Sequence, residues 1–193
     1  MRTEFLGDCT EFLMKGLFGF LLAATVVAAT GSSMAQTQID DAVEVAAEIA
    51  ADQASIDLAV APLRSMKDVR SHLRSTPNSP LFALPPVLRK QFIESLVFTG
   101  HGLGSYSFVP LSKGLSVSDA YKLLALFGAQ SSIAFIPGLP RPANDLEVRI
   151  LQSSQLSPMA TAPPWLHGIC VIHGKDGDCK EEYGRNCSRA CDR

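Results

Sequence analysis

The sequence predicts a helix-rich α+β domain, with about four helices, a few short strands and a small disulfide-stapled C-terminal segment. Three observations support this fold class. Alanine-rich and leucine-rich segments carry apolar residues at helical spacing. Short apolar runs bounded by glycine or proline are typical of strands. Four of the five cysteines lie between Cys170 and Cys191, close enough in sequence to staple one small segment.

The composition excludes two broad classes of protein. The chain has 193 residues, of which 47% are hydrophobic and 19% are charged, and its formal net charge is -2. This balance is typical neither of a basic nucleic-acid binder nor of an acidic disordered chain. We therefore expect no nucleic-acid partner, and a length of this order fits one domain that follows a leader.

Residues 1–35 are predicted to form a signal peptide. The uncharged apolar run from Leu17 to Thr30 is shorter than the ~20 residues that a membrane-spanning helix needs. Ser33 and Ala35 then supply the small residues of a signal-peptidase site. We expect cleavage near Ala35 and a mature protein that begins at Gln36.

The same region indicates where translation starts and to which compartment the protein is exported. The charged residues before Met14 are mostly acidic, which is atypical of the start of a signal peptide. Met14 and Lys15 open a compact signal peptide, so we expect translation to start at Met14 rather than at Met1. No later apolar run is long enough to span a bilayer. We therefore expect a periplasmic or secreted protein without a membrane span in its mature chain.

Residues 36–164 are predicted to form the globular domain, which begins with a helix from Ile39 to Val60. That stretch has no glycine or proline and is rich in alanine, the residue with the highest helix propensity. Its acidic residues repeat every four positions along one side: Asp40, Glu44, Glu48 and Asp52. The first helix should therefore carry an acidic row.

A second helix is expected to begin at Pro62, since proline is favoured at the first helical position. Its basic residues recur every three or four positions: Arg64, Lys67, Arg70 and Arg74. Two interpretations of this basic row remain open. It is either a solvated face beside the acidic helix, where each surface ion pair contributes less than ~1 kcal/mol, or a site that binds an anionic surface.

The centre of the domain alternates between helix breakers and apolar segments. Four prolines in residues 75–86 predict an extended linker. A third helix is expected from Pro86 through Phe98, and it should end at the glycines that follow: Gly100, Gly102 and Gly104. The residues expected to face the core are Val87, Phe92, Ile93 and Leu96.

The next segment is predicted to contain a strand and then a helix. Tyr106 and Phe108 alternate with serines, which is typical of a strand. Ser116 and Asp119 form a capping box for a helix that should end at Gly128. The residues expected to be buried in that helix are Val117, Ala120, Tyr121, Leu124 and Phe127.

Three short segments complete the domain. Residues 131–142 are an apolar run followed by prolines, which predicts a strand. Residues 144–152 fit either a strand or a helix that Asn144 caps, and both interpretations remain open. Residues 157–165 are rich in proline and should connect the domain to the C-terminal tail.

Residues 165–193 are predicted to be a disulfide-bonded tail. The cysteines follow the pattern C-x8-C-x7-C-x3-C, and an even number of cysteines in an oxidising compartment indicates disulfides before metal. Cys187 and Cys191 are one helical turn apart, so we expect a short helix there. It should face a chain reversal at Asp176 and Gly177.

Two disulfide pairings fit this arrangement. The nested pairing joins Cys170 to Cys191 and Cys179 to Cys187. The crossed pairing joins Cys170 to Cys187 and Cys179 to Cys191. Either pairing would attach the short helix to the turn and contribute about 2.5 to 3.5 kcal/mol for each disulfide. We favour the nested pairing.

Metal binding is the alternative use of the tail. His167, Cys170 and His173 have the spacing H-x2-C-x2-H, and Cys179 follows. On a strand the two histidines face one side and Cys170 the other, so the side chains do not converge on one ion. We therefore predict no metal and no cofactor, and we keep His167 and His173 as the alternative metal ligands.

One short run resembles part of a catalytic site. The sequence HGLG at residues 101–104 is similar to the oxyanion loop of α/β-hydrolases. That resemblance implies a hydrolase that uses Ser105 or Ser116 with His101. The nucleophile elbow G-x-S-x-G of that fold is absent from the chain. We therefore assign no catalytic residue.

These observations favour a non-catalytic function. We expect an exported protein that binds another protein or an envelope component. The expected contacts are the exposed glycine-rich loop around His101 and the tail with Trp165, the only tryptophan. Two alternatives remain open: a small secreted hydrolase or metal-binding protein, and a binder of anionic surfaces that uses the basic row.

Overall fold

The structure, a computed structural model, has the predicted mixed α+β architecture. It describes residues 45, 48–50, 52–155, 166–174, 176–188 and 190–191. The predicted signal peptide, the connector at 157–165 and Trp165 lie outside the described residues. The described residues form more helices than the four expected, together with four antiparallel strands. Among the described residues no helix is both long and apolar enough to cross a bilayer.

The first two helices are confirmed where the structure describes them, with a correction to the start of the second. The predicted beginning of the first helix, with Asp40 and Glu44 of its acidic row, lies outside the described residues. The described helical residues of α1 are 45, 48–50 and 52–60, and Leu58 near its end is buried. Helix α2 spans Met66–Ser75 and does not begin at Pro62. It begins at Met66 because the hydroxyl of Ser65 accepts a hydrogen bond from the backbone N–H of Asp68.

Helix α3 begins at the predicted proline but ends earlier than expected. It spans Pro86–Ser95, after a short 3-10 helix at Pro80–Ala83 inside the predicted linker. The next residues, Val97–Thr99, form strand β1 instead of a last helical turn, as their β-branched and aromatic side chains favour. Val87, expected in the core, is 69% exposed, whereas Phe92 and Leu96 are buried as predicted.

Strand β2 spans Gly102–Ser107 and contains two of the glycines that were expected to end a helix. Tyr106 is fully buried in β2, and Phe108 lies just beyond the strand, before helix α4 at Val109–Gly114, which the sequence did not predict. The helix after Ser116 is confirmed as α5, Val117–Ala125, but it ends before the expected Gly128. Phe127 is buried just beyond the helix, and Tyr121 is only half-buried. The hydroxyl of Ser116 accepts a hydrogen bond from the N–H of Asp119, as the capping box requires.

Two of the later predictions are resolved in favour of helices. The expected strand at 131–142 is wrong, because Gln130–Phe135 forms a 3-10 helix. Residues Asp145–Gln155 form helix α6. The side chain of Asn144 accepts a hydrogen bond from the N–H of Glu147, which is the capping alternative left open above.

The tail forms a hairpin of two strands. Strand β3 spans Leu166–His173, strand β4 spans Asp176–Cys187, and the sheet order is β1-β2-β4-β3 with all neighbours antiparallel. The expected short helix around Cys187 is wrong, because that residue ends β4. The reversal lies two residues earlier than predicted: Asp176 already pairs with His173, and Gly174 has φ of +73°.

The main core is formed by residues of the helices together with residues of β1 and β2. The ring of Phe92 packs edge-on against the rings of Tyr106 and Phe127, with centroid distances of 6.1 and 5.9 Å. A smaller buried cluster is formed by the cysteines of the hairpin. The hairpin therefore has an interior of its own beside the main core.

Candidate functional site: the stapled hairpin

Two disulfides fix the β3–β4 hairpin, and their pairing is the nested one. Cys170 bonds Cys191 and Cys179 bonds Cys187, with Cα–Cα distances of 5.7 and 5.9 Å. Cys170 and Cys179 face each other across the two strands, yet each bonds a cysteine nearer the C-terminus. The hairpin is therefore tied to the residues that follow it. We call this unit, β3 and β4 with residues 188–191, the stapled hairpin.

The sulfur atoms form one compact group. The Sγ atoms of Cys170, Cys187 and Cys191 lie within 4.8 Å of one another, and all three residues are buried. A Cβ added at Gly104 or at Gly177 would lie 2.8 Å from the Sγ of Cys170, closer than packing allows. Glycine at both positions lets the backbone approach the disulfides from two sides.

Hydrogen bonds attach the end of the chain to the sheet. The hydroxyl of Thr99 donates to the carbonyl of Ala190 at 2.7 Å, and the N–H of Ser188 donates to the carbonyl of Gly104 at 2.7 Å. The hydroxyl of Ser188 also donates to the carbonyl of Leu103. These bonds satisfy backbone groups that would otherwise be buried without partners. The tail is held by polar contacts as well as by disulfides.

A bulge in β4 presents Tyr183 to solvent. The pairing register between β3 and β4 shifts between Leu166 and Gly168, so β4 has extra residues at this point. Gly184 in the bulge has φ of +82°, and its carbonyl accepts hydrogen bonds from the N–H of Phe108 and the hydroxyl of Ser107. Next to this fixed glycine, Tyr183 is 83% exposed. We did not predict Tyr183 as a site residue, although an isolated glycine within a strand pattern is a signal for a bulge.

The tip of the stapled hairpin adds further exposed side chains. Ile172 and His173 are both exposed near the end of β3. The Nε2 atom of His173 lies 3.5 Å from a carboxylate oxygen of Asp178 on β4. Because both of these polar side chains are exposed, their pairing contributes little to stability. Ile172 and His173 are adjacent on β3 and project from opposite faces at the turn end of the hairpin, whereas Tyr183 lies beyond the Gly168–Glu181 pair at the other end. We therefore define the hairpin surface as the exposed surface around Tyr183 at the bulge.

The sulfur atoms that converge in the described part of the tail all belong to disulfides. Cys170 and Cys179 are in disulfides, so neither offers a thiolate to an ion. His173 and Cys170 lie at positions of opposite parity on β3 and therefore project from opposite faces of the strand. His167 is also in β3, and its side chain lies outside what the structure describes. All four cysteines of the tail are therefore in disulfides and offer no thiolate ligand.

The glycine-rich segment around His101 is not a flexible exposed loop. His101 is half-buried in the turn between β1 and β2, and its N–H donates to the hydroxyl of Thr99 at 3.1 Å. The hydroxyl of Ser105 is buried and accepts a hydrogen bond from the N–H of Cys170. Ser116 caps α5. Since both serine hydroxyls hold structural hydrogen bonds, these contacts do not support the hydrolase alternative.

The basic row is only partly helical. Arg64 lies before α2, and its guanidinium donates to the carbonyl of Ala59 at 3.5 Å. Lys67, Arg70 and Arg74 lie on α2 and are exposed. Within the described residues none of these three side chains forms an ion pair with a carboxylate. They therefore present positive charge to solvent.

Comparison with other proteins adds no further assignment. No family model, no curated protein and no solved structure matches this chain. The functional conclusion consequently depends on the geometry and chemistry of its own residues.

Proposed function

We propose that this is an exported, non-catalytic protein that binds another protein or an envelope component through the hairpin surface. The observation that supports this proposal most directly is the exposure of Tyr183 on a backbone that disulfides and hydrogen bonds hold in place. Aromatic residues are enriched among the residues that dominate binding energy. An aromatic side chain on a fixed backbone loses little conformational freedom when it binds.

Export is supported by the two disulfides. Structural disulfides persist in oxidising compartments such as the periplasm and the extracellular space. The sequence of residues 1–35, with its expected cleavage near Ala35, fits the same route. The proposal is therefore a periplasmic or secreted protein whose binding unit forms only after oxidation.

The proposal is tested by comparing two truncations of exposed side chains. The oxidised protein is immobilised, envelope and culture-medium fractions are passed over it, and retained components are identified by mass spectrometry and titrated. Tyr183→Ala should weaken binding by at least about tenfold, the effect expected for a residue that dominates an interface. Val87→Ala, at an exposed site on α3, should leave binding unchanged. Equal binding by both variants would contradict the proposal.

A second candidate function is supported by the exposed cations on α2. Lys67, Arg70 and Arg74 have no partner carboxylate among the described residues, and Arg64 lies just before them. Such a surface attracts anionic lipids or polysaccharides, and salt screens that attraction. Binding to vesicles that contain anionic lipid should fall sharply with added salt and with K67Q/R70Q/R74Q. Salt-independent binding would rule out this candidate.

A further inference from the structure

A second surface of the molecule, formed by α1, α5 and α6, contains two adjoining grooves. Each groove has a volume of about 450 Å³, and Tyr121 and Ser153 line both of them. The first is bordered on the α1 side by Ile49, Gln53 and Asp57. The second groove is bordered by Lys122, Leu146, Arg149 and Ile150. We call this surface the helical face.

The helices that form the helical face carry charges of opposite sign. On α1, Asp57 lines the first groove, and Glu48 and Asp52 are exposed on the same helix but line neither groove. On α5 and α6, Lys122 and Arg149 are exposed and line the second groove. Lys122 lies 3.9 Å from Asp119, and this exposed pair is weak. Arg149 forms no ion pair with any carboxylate that the structure describes.

The helical face also exposes apolar side chains that a folded monomer normally buries. Ile49 on α1 is 65% exposed, and Leu146 on α6 is 55% exposed. Four apolar residues on α1 are separated by four, seven and four positions, which places them on one side of the helix: Val45, Ile49, Ile56 and Val60. A contiguous apolar surface with a polar border is typical of an interface between proteins.

We propose that the helical face is the interface of a symmetric homodimer. A two-fold rotation places α1 of one copy over the α5–α6 groove of the other and repeats the contact in reverse. Glu48 and Asp52 of each copy then meet Lys122 and Arg149 of the other. A second copy is the occupant that this charge pattern favours, because one chain carries both the acidic apolar helix and the basic groove that complements it. The interface is separate from the hairpin surface.

Sedimentation velocity of the purified oxidised protein over a wide concentration range tests this proposal. Wild-type protein should shift from monomer to dimer as concentration rises. Two charge reversals, K122E/R149E and E48K/D52K, should each raise the dimer dissociation constant by at least about tenfold, since like charges then face each other. K67E/R70E, on α2 outside the helical face, should dimerise like the wild type. Circular dichroism of every variant confirms that it is folded.

Mixing the two reversed variants supplies the decisive result. In a symmetric dimer, K122E/R149E and E48K/D52K restore opposite charges at both contacts, so the mixture should form heterodimers at a concentration at which each variant alone is monomeric. A wild type that stays monomeric, a reversed variant that dimerises normally, or a mixture that stays monomeric would each overturn the proposal. Larger assemblies in the mixture would also overturn it, because they indicate head-to-tail contacts that do not close.

Discussion

The hydroxyl of Tyr106 joins three elements inside the main core. It lies 2.6 Å from the hydroxyl of Ser132 and accepts a hydrogen bond from the side-chain amide of Asn186 at 3.0 Å. The hydroxyl of Ser132 in turn donates to the carbonyl of Ala129, so Tyr106 is the donor in its contact with Ser132. Burial raises the pKa of Tyr106, which keeps the phenol protonated and able to donate.

Removing that hydroxyl should destabilise the protein. Tyr106→Phe leaves the amide of Asn186 without this acceptor in a buried setting, and we expect the free energy of unfolding to fall by about 1–3 kcal/mol. Urea denaturation followed by circular dichroism measures the change. Tyr121→Phe, at a half-buried site in the groove, is the matched control and should change stability by less than about 0.5 kcal/mol. An equal change in the free energy of unfolding for the two substitutions would contradict a specific contribution of the Tyr106 hydrogen bonds to stability.

Gly177 tests the packing around the disulfides. An added Cβ would lie 2.8 Å from the Sγ of Cys170 and 2.9 Å from the carbonyl oxygen of Val171, so Gly177→Ala should cost about 1–3 kcal/mol of stability through overpacking. Gly174→Asn is the control within the same hairpin, because nothing lies within 4 Å of its added Cβ and Asn tolerates positive φ. Thermal unfolding of both variants measures the difference in stability. An unfolding temperature of Gly177→Ala equal to that of the wild type would contradict this packing.

At the scale of secondary-structure elements, Glu147 connects α6 to the start of α5. One carboxylate oxygen accepts a hydrogen bond from the N–H of Ala143 at 2.8 Å, and the other accepts one from the N–H of Ser118 at 3.1 Å. Ser118 lies in the first turn of α5, where N–H groups lack helical partners and favour a negative charge. These contacts hold the pKa of Glu147 below its usual value of 4.5.

This connection should make stability depend on pH. Because the pKa is lowered in the folded state, the carboxylate stabilises the fold above pH 4.5, and this contribution is lost as the pH falls through the folded-state pKa. Glu147→Gln should therefore lower the unfolding temperature at neutral pH, with a smaller difference in acid. Glu94→Gln, at an exposed site on α3, should have little effect at either pH. An unfolding temperature that Glu147→Gln leaves unchanged at neutral pH would contradict this role.

Some sequence signals were sufficient to predict where a helix or strand begins and ends, and others were not. The capping box of Ser116 identified the start of α5 because the signal is local and its hydrogen bonds involve only neighbouring residues. The end of α3 was misplaced because Val97–Thr99 pairs with β2, a contact that helical periodicity does not reveal. The strand expected at 131–142 formed a 3-10 helix, since a short apolar run has no decisive period.

The same contrast applies to the candidate site. The cysteine spacing allowed two pairings, and the nested one that we favoured is the one the structure has, although the short helix that we expected around Cys187 is a strand. Tyr183 was not predicted because its exposure results from a bulge that pairing with β3 and contacts with Ser107 create. Such long-range contacts determine which side chains a strand presents, and a single sequence carries only weak signals for them.

For the whole molecule, the two disulfides should contribute unequally to stability. The Cys170–Cys191 bond closes a sequence separation of 21 residues, and the Cys179–Cys187 bond closes one of 8. Chain entropy alone then predicts losses of about 3.3 and about 2.5 kcal/mol for C170S/C191S and C179S/C187S. Urea denaturation of the two variants checks the order. A greater loss for C179S/C187S would show that native contacts, rather than loop closure, dominate.

The proposed function requires that the stapled hairpin present Tyr183 to a binding partner. Site-specific photocrosslinking in living cells tests this requirement, with a photoreactive phenylalanine analogue in place of Tyr183 and, in a separate strain, in place of the exposed Val87. We expect a discrete crosslinked product at position 183 that disappears in the C179S/C187S background, and no such product at position 87. Crosslinking at position 87 but not at 183 would contradict the proposed function. Crosslinking at position 183 that persists in the C179S/C187S background would contradict it as well.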